Sequence, residues 1–412
     1  MSSRSLLIAL VWLVSCAALD AQEWTRFRGP NGSGIGDAPD VPSAWTDANV
    51  KWKTAIPGEG HSSSVLWGDR VFLTSAEPDS GKRLAICVDA KSGKLLWTRD
   101  FPGEKYHTHK RNSMATSTPV VDAQHAYFAW ALPEQTVLMA LKHDGTPIWQ
   151  AELGPFDGGH GFGVSPVIVD DLVILICDQD EGGKVHALDT ATGKVRWQVT
   201  RRSQQTNYAT PCLFQPTGKP AELIVSDWKH GVSALDPRSG ATLWELDVFD
   251  PKKKERSIVS PLVAGDRVLA TCGFVGAKKH FVAIRPGDVK TNQPPSELWR
   301  FEKAVAHIPT PVVIGSRVYV CNEAGIATCL NVADGEQIWQ ERLGGNFSAS
   351  LVATGDRIFC TADNGEVIVL RAADKFEELG RSQLGEVVQA TPAIAHGRIY
   401  FRTAGHLIAV GK

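Results

Sequence analysis

Past residue 50 the chain is a succession of short apolar runs, each three to seven residues long and rich in Val, Ile and Leu, broken by brief polar turns. Runs of that length bounded by Gly, Asp and Ser read as β-strands rather than helices. The pattern comes in pairs. SSSVLWGDRVFLT, SPLVAGDRVLAT, TPVVIGSRVYV, SASLVATGDRIFC and TPAIAHGRIYF each hold two runs joined by a tight turn. Downstream of such pairs comes a second kind of hairpin, AICVDAKSGKLLW, VHALDTATGKVRW, VSALDPRSGATLW or TCLNVADGEQIW, always closed by a Trp. The Gly in each suits a left-handed turn position, and the Asp in three of them can bond its own backbone two residues on. The TGK in the second of these is therefore turn chemistry. A phosphate loop needs an earlier Gly and a final Ser or Thr, and it does not recur.

Together the two hairpins make a unit of four antiparallel strands, A to D. The Trp residues at 52, 97, 149, 197, 244, 299 and 339 recur at intervals near the 40 to 45 residues of a propeller blade. The expected fold is all-β, an eight-bladed β-propeller of four-stranded antiparallel blades. The seventh blade carries Leu379 where nine residues from Leu370 would place a Trp, and blade 5 carries an insertion, PGDVKTNQPPSE. The last unit stops after strand C, while VKWKTAI around Trp52 has no A to C strands of its own. That N-terminal strand is expected to close the ring and remove the open edge. The division is residues 1–21 as a signal peptide, 22–49 as a strap, and 50–412 as one propeller domain.

The A-x-D-x-x-T-G-x-x-x-W repeat is similar to that of the PQQ-like β-propeller proteins, where it forms the tryptophan-docking motif of quinoprotein dehydrogenases and of BamB-type envelope lipoproteins. The leading WTRFRGPNGSGIG resembles the N-terminal signature of a bacterial branch of that family. The resemblance implies the fold and a Trp packed on the neighbouring blade. It leaves open a binding protein or an enzyme.

Arg4 followed by LLIALVWLV has the form of a signal-peptide core, too short to span a bilayer. Leu13 to Cys16 resembles a lipobox, which would leave Cys16 lipidated; cleavage near Ala18 or Ala21 is the alternative. Either way the chain is expected in the periplasm or cell envelope. Seven further cysteines form no C-x-x-C, and most sit mid-strand in apolar company, where Cys acts as a small hydrophobe; a bridge between Cys321 and Cys329, which flank one hairpin, is the lesser alternative. A net charge of −2 excludes a global pull toward nucleic acid or membrane.

Quinoprotein dehydrogenases carry adjacent cysteines above the quinone and a carboxylate-rich calcium site. Neither pattern appears, so pyrroloquinoline quinone with calcium is not expected, and no catalytic or metal-binding residue is assigned. What remains is the loop face. Lys110, Arg111, Arg201, Arg202, Lys252, Lys253, Lys254, Lys278 and Lys279 lie in its loops and form a candidate basic face for a protein partner or an anionic envelope component. The residues entering strand A of each blade form a candidate channel mouth: His61, Asn112, Ser113, His160, Asn207, Tyr208, Arg256, His307, Asn346 and Gln389. The expected function is a non-catalytic envelope scaffold, with a quinoprotein-like dehydrogenase or a small-molecule binder in the channel as the alternative.

Overall fold

The computed structural model describes residues 23–180, 182–250, 252, 255–274 and 278–412. The segment expected as a signal peptide, with Cys16, and the loop lysines Lys253 and Lys254 lie outside them. The described chain folds into eight four-stranded antiparallel sheets. Blade 1 runs through Val65–Trp67, Arg70–Ala76, Arg83–Asp89 and Leu95–Phe101, and blades 2 to 7 repeat the plan. Strands B and C are buried along almost their whole length, as in Leu172–Asp178, because each sheet is covered by a neighbour on both faces. Strand D alternates exposed and half-buried residues on the rim, as in Val195–Arg201.

Closure follows the expected scheme. Ala393–Ala395, Arg398–Arg402 and His406–Gly411 form three strands of blade 8, and Val50–Ala55 pairs antiparallel with the last of them. Lys53 faces Ile408 and Ala55 faces His406.

The recurrent Trp and Gly explain each other. The indole N–H of each blade's Trp donates to a backbone carbonyl in the next blade's turn: Trp52 to Ala90 at 3.1 Å, Trp97 to His143 at 2.9 Å, Trp149 to Thr190 at 2.9 Å and Trp197 to Pro237 at 3.0 Å. Trp299 and Trp339 do the same with Val332 and Ala373. The ring lies against the turn glycine. A Cβ on Gly193, whose φ is 69°, would sit 2.5 Å from Trp149. The residue must be Gly for its conformation and for the space. Trp244 alone turns its N–H to Glu222 Oε2 of its own blade, at 2.8 Å, because the blade 5 insertion replaces the regular turn it would meet.

Blade 7 departs from the expectation. Leu370 pairs with Glu378 and Val369 with Gly380, so Gly380 rather than Leu379 holds the Trp position. The turn is one residue longer than a count from the sequence allows. A Cβ on Gly380 would meet Ala44 and Ser43 of the strap, and Trp45 of that segment lies 5.6 Å from the Phe401 ring of blade 8. The strap supplies an indole where the repeat lacks one. All seven described cysteines are free and buried, as small apolar residues of the strands, and the alternative of a Cys321–Cys329 bridge is not realised. Cys321 faces Ala327 across its hairpin while Cys329 faces Tyr319, so their thiols do not meet.

Candidate functional site

The inner strands surround a channel whose wall begins with a ring of hydroxyls. A backbone N–H at the start of one strand A donates to the Ser or Thr hydroxyl at the same place in the next blade: Ser63 to Thr118, Thr118 to Ser165, Thr210 to Ser260, Ser260 to Thr310, Thr310 to Ser350 and Ser350 to Thr391. These links span 2.9 to 3.2 Å. A Pro follows most of these residues, so no extra N–H is left unbonded against the channel. The Ser/Thr-Pro dipeptides were visible in the sequence as strand starts. Their role in linking blades required the ring.

The strap closes one end of the channel. Leu66 of blade 1 bonds to Trp24 O, Val121 of blade 2 to Thr25 O, and Asn31 pairs with Leu213 of blade 4. Gly36 N donates to Ala353 O of blade 7. Arg28 is fully buried near the axis. Its guanidinium donates to Thr310 O at 2.7 Å, Pro311 O at 2.6 Å, Leu351 O at 2.9 Å, and Gly32 O and Ser33 O of the strap itself. Burial pushes its pKa down to about 9, still cationic at neutral pH. Five carbonyls therefore stand where a carboxylate partner would be usual. Gly34, at φ 76°, allows the close pass beside Arg28 Nη2 and Leu351 O. Phe27 faces into the channel from this floor.

Above Phe27 is a cavity of about 640 Å³. Eight of the ten proposed mouth residues line it: His61, Asn112, His160, Tyr208, Arg256, His307, Asn346 and Gln389. Ser113 and Asn207 do not. Ser113 accepts a bond from His61 N at 3.1 Å, holding one loop to the next. Asn207 is buried and donates to Ser226 O at 2.6 Å. His307 is also mostly enclosed, 6 % exposed, rather than a water-facing group.

The basic face does not form as one positive surface. Arg201 is buried against Asp178 at 2.8 Å. Burial, opposed by Arg201 and reinforced by Asp227, raises Asp178 to about 6. Arg202 pairs with Glu245 at 2.8 Å, Lys278 with Glu302 at 3.6 Å and Lys279 with Glu323 at 2.8 Å. Lys252 is exposed. Lys110, Arg111 and Lys279 belong to the cavity lining instead.

Positive charge is thus concentrated inward. Among the described residues, Lys110, Arg111, Arg256 and Lys279 line the cavity against a single carboxylate, Glu323. Burial would raise Glu323, but Lys279 holds it below its usual range, and its Oε1 also accepts from the backbone N–H groups of His307 and Ile308. Burial lowers His61 and His307 to about 4, and nearby arginines push in the same direction. His109 and His160 stack at 5.0 Å and are likewise depressed, by burial first and Arg256 among the charges. The histidines are neutral donors and acceptors at pH 7. Among the described residues no group of three or more His, Cys, Asp or Glu is placed to hold a metal ion.

Fold and site together define a closed eight-bladed propeller with a cation-lined channel whose floor is the strap. The family model described as outer membrane protein assembly factor BamB matches residues 38–207, 133–295 and 285–411. The chain belongs to this family of PQQ-like β-propellers. It is 22 % identical over 379 residues to outer membrane protein assembly factor BamB of Yersinia pestis, a match covering 89 % of this chain and 77 % of the relative. The BamB structure from Moraxella catarrhalis superposes with a TM-score of 0.61 at 15 % identity, covering 88 % of this chain and 96 % of that one. Quinohemoprotein alcohol dehydrogenase from Comamonas testosteroni gives 0.64 at 12 %, covering 95 % and 81 %. At these identities the two structures share the fold with this chain and nothing finer.

Proposed function

We propose that this protein is a non-catalytic scaffold of the bacterial envelope that holds a protein partner on its loop face. The observation that supports it most is the extent of the family match, residues 38–411, which takes in all eight blades. The Yersinia relative, matched over most of its own length, is named an outer membrane assembly factor. A scaffold needs a rigid body with a distinctive rim, and the closed ring supplies one. On that rim Phe274 is 48 % exposed at the edge of the cavity, and Lys278 follows a few residues on. An aromatic side chain with an adjacent cation is the residue chemistry that concentrates binding energy at protein interfaces.

The test is affinity capture of the tagged protein from the native envelope fraction, with mass spectrometry of what accompanies it. One stoichiometric partner is expected, depleted when Phe274→Asp is combined with Lys278→Glu. Both side chains are exposed enough that the melting temperature should hardly move. Undiminished capture by the double variant, or recovery of the protein only outside the envelope fraction, would refute this reading.

A further inference from the structure

We propose that the strap-floored channel is a binding site for a small oxyanion ligand, a carboxylate or a phosphate, held by Arg256 and Arg111. The scaffold reading concerns the outer rim; this site lies inside it and stands or falls separately.

Arg256 carries the inference. It is 7 % exposed and lines the cavity, yet its Nε and Nη1 atoms have no hydrogen-bond partner. A buried guanidinium with idle donors is costly, because the charge has lost water without gaining an acceptor. The contrast within the same molecule is informative. Arg28 is at least as buried and meets five carbonyls, and Arg201 meets Asp178. Arg256 is left facing open space.

The atoms around that space are of the same kind. Arg111 Nη1, the Tyr208 hydroxyl, Nδ1 of His61 and His160, and Ser348 Oγ are all buried, unpartnered and on the cavity wall. Most of them donate hydrogen bonds or can do so at neutral pH. Among the described lining residues the one carboxylate, Glu323, is taken up by Lys279 and two backbone N–H groups, so it does not compete for the arginines. A carboxylate or phosphate matches the fork of a guanidinium geometrically and would satisfy Nε and an Nη together. Phe27 and the strap beneath it prevent passage, so a ligand entering at the mouth is retained on a floor rather than conducted through. A cavity of about 640 Å³ accommodates a molecule of small-metabolite size rather than an inorganic ion alone.

Isothermal titration calorimetry of the full processed protein at fixed ionic strength, with sodium citrate in one series and inorganic phosphate in the other, tests this. One-to-one binding of at least one of the two is expected, and which one binds separates a carboxylate site from a phosphate site. Loss of a charge-assisted hydrogen-bond pair should weaken it about tenfold or more in Arg256→Met. Because Arg256 is buried, Arg111→Gln, at a half-exposed position, is the companion variant and should weaken the same binding in a protein with unchanged circular dichroism. No binding of either anion up to about 10 mM overturns the proposal, since an unpaired buried guanidinium should do better than that. So does affinity unaltered in folded Arg111→Gln.

Discussion

His186 shows what one buried, unpartnered ring does to this protein. It sits in strand C of blade 3, 3 % exposed, with neither ring nitrogen bonded. Burial, helped by Lys184, lowers its pKa to about 4. The unfolded chain takes up a proton near pH 6.5 and the folded one does not, so the stability associated with neutral His186 is present above about 6.5 and is lost as pH falls toward 4. His61 and His307 work in the same direction. Asp178, raised to about 6, opposes them, because its folded form gains protons first as pH falls from 6 toward 4. Three histidines outweigh one carboxyl, and the protein should melt lower at pH 5 than at pH 7.5. His186→Leu removes about 2 kcal/mol of the loss at pH 5. Melting curves of wild type and variant that stay parallel from pH 7.5 to 5 would contradict the assignment.

The blade is the element of this fold, and its turn glycine sets the spacing between blades. Gly193 and Gly218 have nearly the same φ, 69° and 70°, but a Cβ on Gly218 meets nothing within 4 Å while one on Gly193 strikes Trp149. Gly218→Ala should therefore cost about 1 kcal/mol, the strain of a left-handed residue alone. Gly193→Ala adds displacement of the indole and should cost about 3 kcal/mol or more, read from urea unfolding midpoints. Equal costs would mean that the Trp yields freely. The same pairing explains how the blades were legible in the sequence. A bulky Trp and the Gly beneath it recur at fixed distance, and period is what a single chain can display. Gly380 was missed because one added turn residue shifts a count without changing the pattern of apolar residues. Among site residues, eight of those just before strand A line the cavity, where topology puts them, while Ser113 ties two loops together instead. Asn207 does not line it either, since its side chain bonds inward to Ser226, and Arg201 was misread as surface charge because its partner Asp178 lies 23 residues away in another strand. Arg28 and Phe27 had no periodic signal at all; the blade carbonyls that Arg28 meets lie more than 280 residues away in sequence.

At the scale of the whole molecule, the N-terminal segment has two separable tasks: residues 23–49 floor the channel, and Val50–Ala55 closes the ring. Truncation at residue 49 should lower the melting temperature yet keep a cooperative transition, because every sheet retains four strands. Truncation past residue 56 leaves the edge of His406–Gly411 unpaired and should give aggregation or a broad, uncooperative melt. Calorimetry of the two truncated forms distinguishes the tasks. If both melt as the full protein does, the segment is dispensable and neither assignment holds.

That borrowed strand also sets a timetable. Val50 pairs with Val410, so the first strand to leave the ribosome must wait for the last, and roughly 360 residues lie between them. At common synthesis rates the wait is about 20 to 70 s. Through that interval blades 1 to 7 can assemble on local hairpins, while both ends of the arc present raw strand edges to whatever is near. A chaperone that shields strand 50–55 during that interval would speed the yield of native protein without touching the rate at which any single blade forms.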